Sequence, residues 1–587
     1  MKGLLTNKKL IILTVLLFSF ALFMSACSSD EEPNGSPDDG TTNNNNNDDN
    51  GNNDNDGDSD GEAADDQVLR FTESDEIRSM DISFATDVIS HNVMNRVFSG
   101  LLIYEDDELV PEIAEDMPEV NDDNTEYTFT LRDDAEWSNG DPVTADDFVY
   151  SWRRALDKDF ESQYDYIFEA ANIANASEIV DEDSDMFGET EELGVEAVDE
   201  HTLKVTLDKA TPEQYFNSLM QFAPFFPLNE EFVEEQGDDF AEEPENLLYN
   251  GAFVLDEWNH GEGWTLKKNE DYFNADEVNI EEVDFQVVKD TKTALKLYEN
   301  GEIDRVQLRA EDVEKYQDDP EFQELPDVGV FYWDFDRNNV PEFENENLRK
   351  AIFLSLDRDS AADVILNDGS MGANYVVPQE FATGPDGNDF HDEGGKANPE
   401  DYPNSDKEEA QEYWEKAKEE LDIDELEIEY MTTDTSTSEE LADYFANEIE
   451  ENLDGITIDI NKQPFKSYLD LTSSGEAELA AGSGWQPDYE DPMTFLELFT
   501  SDNPQNTYGL EDDEYDSMIE KADDLGDKPE ERWEVLQEAE QYLIDNALIV
   551  PTYQSGIAVL TKDYIDGNID QVNGIKNFFR YAEIKDH

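Results

Sequence analysis

Residues 109–155 read LVPEIAEDMPEVNDDNTEYTFTLRDDAEWSNGDPVTADDFVYSWRRA. Tyr127, Phe129 and Leu131 alternate with Thr128, Thr130 and Arg132, a period of two that predicts a strand with one buried face. Ser138-Asn139-Gly140-Asp141-Pro142 is turn chemistry. Thr144 then opens a helix, with Asp147 three residues on as a weak capping box, and Phe148, Trp152 and Ala155 line one face at helical spacing. The same alternation continues outward from this stretch. Helices are expected over Thr293–Glu299, Leu348–Leu356, Ser438–Leu453 and Glu530–Asp545, and strands over Val283–Val288, Ile456–Ile460 and Leu548–Pro551. Strands interleaved with helices predict an α/β protein that begins near Val68, and no period of 20–50 residues marks a repeat architecture.

The chain has 587 residues, enough for a substantial core and more than one domain. It carries 150 acidic side chains against 37 basic ones, a formal charge of -113. Such a surface repels nucleic acid, itself a polyanion, and gains nothing from anionic lipid headgroups. A charge density of this kind suits concentrated salt, where the Debye length shrinks to about 3 Å and self-repulsion is screened; an alkaline habitat is the second explanation. With 37% hydrophobic and 11% aromatic residues, most of the chain is expected to fold.

The amino terminus has its own grammar. Lys2, Lys8 and Lys9 precede an apolar run, Leu10–Met24, closed by the small residues Ser25 and Ala26 and then Cys27. That order is a secretory signal peptide over residues 1–26, with an apolar stretch shorter than the ~20 residues that span a bilayer. Cys27 is the chain's one cysteine and has no disulfide partner. The segment Phe23-Met24-Ser25-Ala26-Cys27 resembles the lipobox of bacterial lipoproteins, with Met24 where Leu is commoner, so lipid attachment is expected at Cys27. This places the protein at the extracellular face of the cell membrane, of Gram-positive type. Residues 27–66 follow as an acidic, disordered tether without Lys, Arg or aromatic side chains, spanning roughly 30–40 Å as a flexible coil. Within it Asp56, Asp58 and Asp60 imitate half a calcium loop, but Gln67 stands where a bidentate Glu belongs and casual ion condensation is the reading.

Catalytic constellations are missing from the sequence. Among so many carboxylates, pairs of acids arise by chance and carry no information about glycoside chemistry. His91, His201, His260, His391 and His587 form no ligand spacing, and with a single cysteine a zinc site is not expected. There is no nucleophile elbow, Walker loop or dinucleotide fingerprint. The residues alone describe an exported, anchored α/β protein that binds something, is not an enzyme, and needs neither cofactor nor metal.

Residues 109–155, ending Tyr150-Ser151-Trp152-Arg153-Arg154, resemble the signature region of the solute-binding proteins of peptide ABC importers, family 5, in its oligopeptide branch. Further matching motifs follow in order: Glu73–Ile77 through Ala85-Thr86-Asp87, Asn250-Gly251-Ala252-Phe253, Asn269–Phe273, Gly301-Glu302-Ile303-Asp304, Leu348-Arg349-Lys350-Ala351 with Leu356-Asp357-Arg358, and Gly484-Trp485-Gln486-Pro487-Asp488-Tyr489-Glu490-Asp491-Pro492. The resemblance implies a two-lobed, periplasmic-binding-protein-like fold with an extra domain in the first lobe, the lobes closing on ligand about a hinge. Its domains would be I (67–104, 234–329 and 555–587), II (105–233) and III, the second lobe (330–554).

The resemblance also implies roles for residues. Asp488 matches the aspartate that pairs with a peptide's α-ammonium, a charge that every peptide carries. Val88, Tyr332, Asp334 and Tyr553 match positions lining the cleft, and Tyr164, Phe465, Leu469 and Trp485 match pocket walls; Phe465 stands where tryptophan is common. Some relatives hold the ligand's carboxylate with bases just before the Gly-Trp pair, whereas Leu479–Ser483 has none and Thr472 replaces another. The implied partners are oligopeptides and the permease subunits of an ABC transporter, with the protein working as a monomer. A receptor for another solute (nickel, haem, an oligosaccharide) or a peptide-pheromone sensor remains open on the same scaffold.

Overall fold

The computed structural model of the chain describes residues 63–64, 66–160, 162–385, 387–391, 397–475 and 477–587. The signal segment, Cys27, the calcium-like run and most of the acidic tether lie outside these. Within them the opening stretch folds as its pattern requires. Tyr127 and Phe129 are fully buried on the strand Glu126–Thr130, and Phe148, Trp152 and Ala155 are buried on the helix Ala145–Ala155. The Thr144 N–H donates to Asp147 Oδ2 at 2.8 Å, closing the capping box. The other expected helices are Thr291–Glu299, Glu346–Ser355, Ser436–Asn452 and Pro529–Asp545.

Among the described residues three sheets have four or more strands, beside two two-stranded ones. One four-stranded sheet orders Val68–Glu73, Glu282–Val287, Gly263–Lys268 and Phe253–Asn259. A second orders Glu119–Val120, Glu126–Thr130, Thr202–Thr206 and Val195–Asp199. The third has seven strands, in the order Arg305–Leu308, Val550–Thr561, Phe322–Phe335, Leu479–Trp485, Leu426–Thr433 and Ile456–Gln463, with Met371–Gly372 paired to 550–561.

The two long strands of this third sheet, 322–335 and 550–561, change neighbours along their length. Residues 558–561 pair with 305–308, whereas residues 330–335 pair with 479–485. Between these stretches the antiparallel register shifts. Pro326 faces Gly556 and Val330 faces Gln554, so the 322–335 strand carries two extra residues at the crossing.

The carboxyl-terminal segment closes the amino-terminal core. Phe579 packs with Phe71 at 5.8 Å and Phe253 at 5.4 Å between ring centroids. Arg580 forks onto buried Glu112 with two 3.0 Å hydrogen bonds, and Glu112 also accepts from Ser99 Oγ at 2.8 Å and Tyr272 Oη at 2.9 Å. Ala63 pairs with Lys585 and the Ala64 N–H donates to the Ile584 carbonyl. The edge formed by the last residues thus gives the backbone of these two alanines, at the end of the expected tether, a partner.

A buried ion pair costs far more to break than it contributes when whole. Arg580→Met should therefore lower stability by about 3–5 kcal/mol. Replacing Glu112 as well, by an apolar residue, should recover much of that loss in urea denaturation.

Candidate functional site

Asp488 lies just past the 479–485 strand, in a turn held at its backbone. The Asp488 N–H donates to Thr494 Oγ1 at 3.1 Å, and Gln221 Nε2 donates to the Asp488 carbonyl at 3.1 Å. Nearby, the Glu490 N–H donates to Ser218 Oγ at 3.3 Å and Tyr489 packs edge-on against Tyr215 at 4.9 Å. Arg532 grips Asp491 with hydrogen bonds of 2.6 and 2.8 Å, both groups being buried. The turn is thus fixed by groups from residues 215–221 on one side and from the Pro529–Asp545 helix on the other.

The Asp488 side chain is treated quite differently. The residue is 9% exposed, and among the described residues no ion pair joins it. Burial, and next the charge of Glu497, hold its carboxyl well above the usual range. The Trp485 indole and the Tyr166 hydroxyl lie close enough to pull it partly back. Neither Trp485 Nε1 nor Tyr166 Oη completes a hydrogen bond of good geometry, although both atoms are buried. Glu497 is itself pushed up to about 8 by burial, with the Tyr489 hydroxyl donating to it at 2.5 Å. A buried carboxyl with two nearby donors and, among the described residues, no cation is an arrangement suited to a positively charged group.

The other expected residues fall into distinct places. Tyr164, 2% exposed, packs edge-on to Phe222 at 5.0 Å and beside Tyr166 at 5.8 Å, where burial and then the Asp488 charge raise its phenol far above the ordinary value. Val88, 45% exposed, begins the helix Val88–Val97 after Asp87, which caps it by accepting from the Ser90 N–H at 2.8 Å. Asp87 Oδ2 is buried without a hydrogen-bond partner. Tyr332 and Asp334 line a separate cavity with Phe499, Gln505 and Tyr508, the Tyr332 ring meeting Phe499 edge-on at 5.2 Å. Tyr553 stacks on Phe331 at 4.5 Å at the crossing of the long strands.

Phe465 and Leu469 are half-buried one turn apart on the helix Phe465–Ser473, and Leu469 packs on the cluster containing Met431, Tyr468 and Tyr508. That helix is tied to the stretch before Val88, because Arg78 Nη2 lies 3.4 Å from Asp470 Oδ1. Asp488, Trp485 and Tyr164 therefore come together, while Tyr332, Asp334 and Tyr553 sit along the strands that lead to them.

Tyr166, Gln221, Thr494 and Glu497 escaped the sequence reading. Tyr166 had a faint signal in its spacing of two from Tyr164. Glu497 had none, being one acid among 150. Among the described residues no group of His, Cys, Asp or Glu is placed to hold a metal ion.

Known proteins share the fold that carries these residues. The family described as bacterial extracellular solute-binding proteins, family 5 Middle, matches residues 108–507. The dipeptide-binding protein DppE of Bacillus subtilis is 30% identical over 507 residues, covering 86% of this chain and 89% of the relative. The structure of Listeria monocytogenes OppA bound to peptide superposes with a TM-score of 0.82 at 35% identity, over 89% of this chain and 100% of that one. The pheromone receptor PrgZ, described with its mode of peptide binding, gives a TM-score of 0.82 at 29% identity, over 89% and 100%.

Because ionisation of Asp488 opposes folding of the empty protein, removing its charge should stabilise that state. Its folded pKa lies above the unfolded one, so stability is lost progressively as pH rises from about 4 toward the raised value. Asp488→Asn should raise the unliganded melting temperature, by about 1–2 kcal/mol of stability, with the gap over wild type widening between pH 5 and 8. A lower melting temperature for Asp488→Asn would show that the carboxylate is already paired.

Proposed function

We propose that this chain, which belongs to the bacterial extracellular solute-binding proteins of family 5, is a receptor that binds oligopeptides by their α-ammonium group and main chain and delivers them to an ABC permease. The observation that carries this reading is the enclosed Asp488 carboxylate without a cation, at the end of a strand with an open edge. The 479–485 strand pairs with 322–335 on one side. On the other side it meets 426–433 only at Leu479 and Ala480. Beyond Ala480, among the described residues, no strand pairs with that second edge.

An extended peptide fits there by strand addition, running antiparallel with its amino terminus at Asp488. Backbone pairing reads no sequence, and the ammonium is common to every peptide, so affinity is largely independent of side chains. Trp485, Tyr164, Phe465, Leu469, Tyr332, Asp334, Tyr553 and Val88 then line the space for side chains and main chain. The peptide bound in the Listeria relative and the dipeptides named for the Bacillus one support the ligand class. Two arginines of this region are already engaged, Arg78 with Asp470 and Arg309 with Asp368. Peptides long enough to leave that end in solvent are therefore preferred. A peptide-pheromone sensor is the second reading, since the pheromone receptor PrgZ also binds peptide, and it differs from the first in having no permease to deliver to.

Cys27 carries the lipid that anchors this receptor to the outer face of the membrane, and the acidic surface is an adaptation to concentrated salt. Cells given labelled palmitate should label the wild type and not Cys27→Ser. The melting temperature of that soluble form should climb with KCl, and a flat response from dilute to molar salt would sink the salt reading.

Binding an ammonium beside Asp488 requires the ionised carboxylate, so complex formation should release a proton below the raised pKa. Affinity should fall on the acid side as Asp488 takes its proton. It should fall again on the alkaline side once the free α-amine, of pKa ~7.7–8.0, loses its own. Calorimetry in two buffers of different ionisation enthalpy reads the proton, and N-acetylated peptides should bind on the order of 3 kcal/mol more weakly. Equal affinity for free and acetylated peptides would exclude the ammonium role.

A further inference from the structure

The two extra residues where the long strands cross bring Asp327 into a position that no cleft role explains. Asp327 is 6% exposed. Its Oδ2 accepts from Ser555 Oγ on the 550–561 strand at 2.5 Å and from Gln486 Nε2 at 3.1 Å. Its Oδ1 lies 3.1 Å from Lys576 Nζ, and its carbonyl accepts from Gln554 Nε2 at 3.1 Å. One carboxylate thus gathers a crossing strand, the carboxyl-terminal segment and the turn after the 479–485 strand.

Gln486 is the informative partner. It stands between Trp485 and Asp488, and its Oε1 is buried without a hydrogen-bond partner. The orientation of its amide therefore rests on the donor side, where Asp327 accepts. Gly329 lets the two side chains approach the backbone closely at this contact. A Cβ on Gly329 would sit 2.3 Å from Gln486 Nε2 and 2.7 Å from Ser555 Oγ. Val330, next along, faces Trp485 on one side and Gln554 on the other. Whatever changes the angle between the two long strands must move Ser555 against Asp327, and with it Gln486.

We propose that Asp327 is a positioning residue: through Gln486 it aims the Trp485–Asp488 turn at the ligand's ammonium, and through Ser555 and Lys576 it couples that turn to the crossing of the long strands. The proposal rests on the reading that Asp488 holds the ammonium. Asp327 touches no ligand position itself, and the physical content is preorganisation. Without it, Trp485 and Asp488 are presented in several orientations, and the energy of the ammonium contact is diluted among them.

The test compares free and N-acetylated forms of one peptide on wild type, Asp327→Asn, Gln486→Leu and Asp488→Asn, each checked for folding by circular dichroism and melting temperature. Asp327→Asn is isosteric; with its oxygen turned to Lys576, its NH2 meets Gln486 Nε2 donor against donor, while Ser555 Oγ can accept from it, which protects the experiment against simple misfolding; Gln486→Leu removes the same link from the other end. The expected result is that the wild type's preference for the free peptide falls about tenfold in both variants, while affinity for the acetylated peptide changes little. Equal weakening toward both peptides, or an unchanged preference in both variants while Asp488→Asn loses it, would overturn the positioning role and leave the ammonium reading standing. A preference that survives in Asp488→Asn would overturn the ammonium reading and this proposal together.

Discussion

A carboxylate withdrawn from water and left without a cation is unfavourable by several kcal/mol, and the surroundings of Asp488 are built around that cost. The guanidinium of Arg532 reaches this turn, yet it is committed to Asp491, three residues past Asp488, through two short hydrogen bonds. Glu497, the next acid, carries its own proton through most of the neutral range because burial pushes it up to about 8. The turn therefore cannot be held by attraction to the Asp488 side chain. It is held instead by the Asp488 backbone, through Thr494 and Gln221, and by the buried pair next door. The geometry is fixed while the carboxyl has no cation, so a ligand's ammonium finds its partner already in place and has only the carboxyl's proton to displace.

How much of this was legible in the chain depended on whether the side chains told the truth about their surroundings. In residues 126–155 they did. Tyr127 and Phe129 alternate because one face is buried, and Thr144 and Asp147 cap because four backbone donors need partners at a helix start. The strand Phe322–Phe335 was missed because Pro326 and Gly329 read as breakers. Both sit at the register shift, where a donor is not needed and where a side chain would strike Gln486. The 479–485 strand, LAAGSGW, has almost no strand-forming side chains. Its Gly484 lies under Phe331, whose ring a Cβ would meet at 2.6 Å, so the smallness that hid the strand is what lets the sheet close there. Asp488 was singled out by family resemblance, whereas Tyr166 reaches it across more than 300 residues, which no local pattern encodes, and Glu497, though only nine residues from it, is one acid among 150.

With a net charge of -113, cations are scarce, and several are placed where they join distant parts of the chain. Lys289 lies 3.0 Å from Asp75 and 2.7 Å from Asp434. Arg305 forks onto Asp570, Lys576 meets Asp327 and Arg580 meets Glu112. Each such pair removes repulsion at a point where two acidic surfaces would otherwise face one another. The gain is larger than for an isolated surface pair, because the unpaired alternative is a close contact between like charges.

The order of synthesis gives the carboxyl-terminal segment a further meaning. Phe579 fills a place among Phe71, Phe253 and Phe285, and Arg580 neutralises Glu112, so the earliest residues of the ordered chain wait for nearly the last before their core is complete. While the ribosome is still adding residues, the sheet that begins at Val68 has an open apolar gap and a buried acid without its partner. Such an intermediate gains little by collapsing early, and this core can lock only once residues 579 and 580 have joined it. A chain arranged in this way stays pliable for as long as it is unfinished.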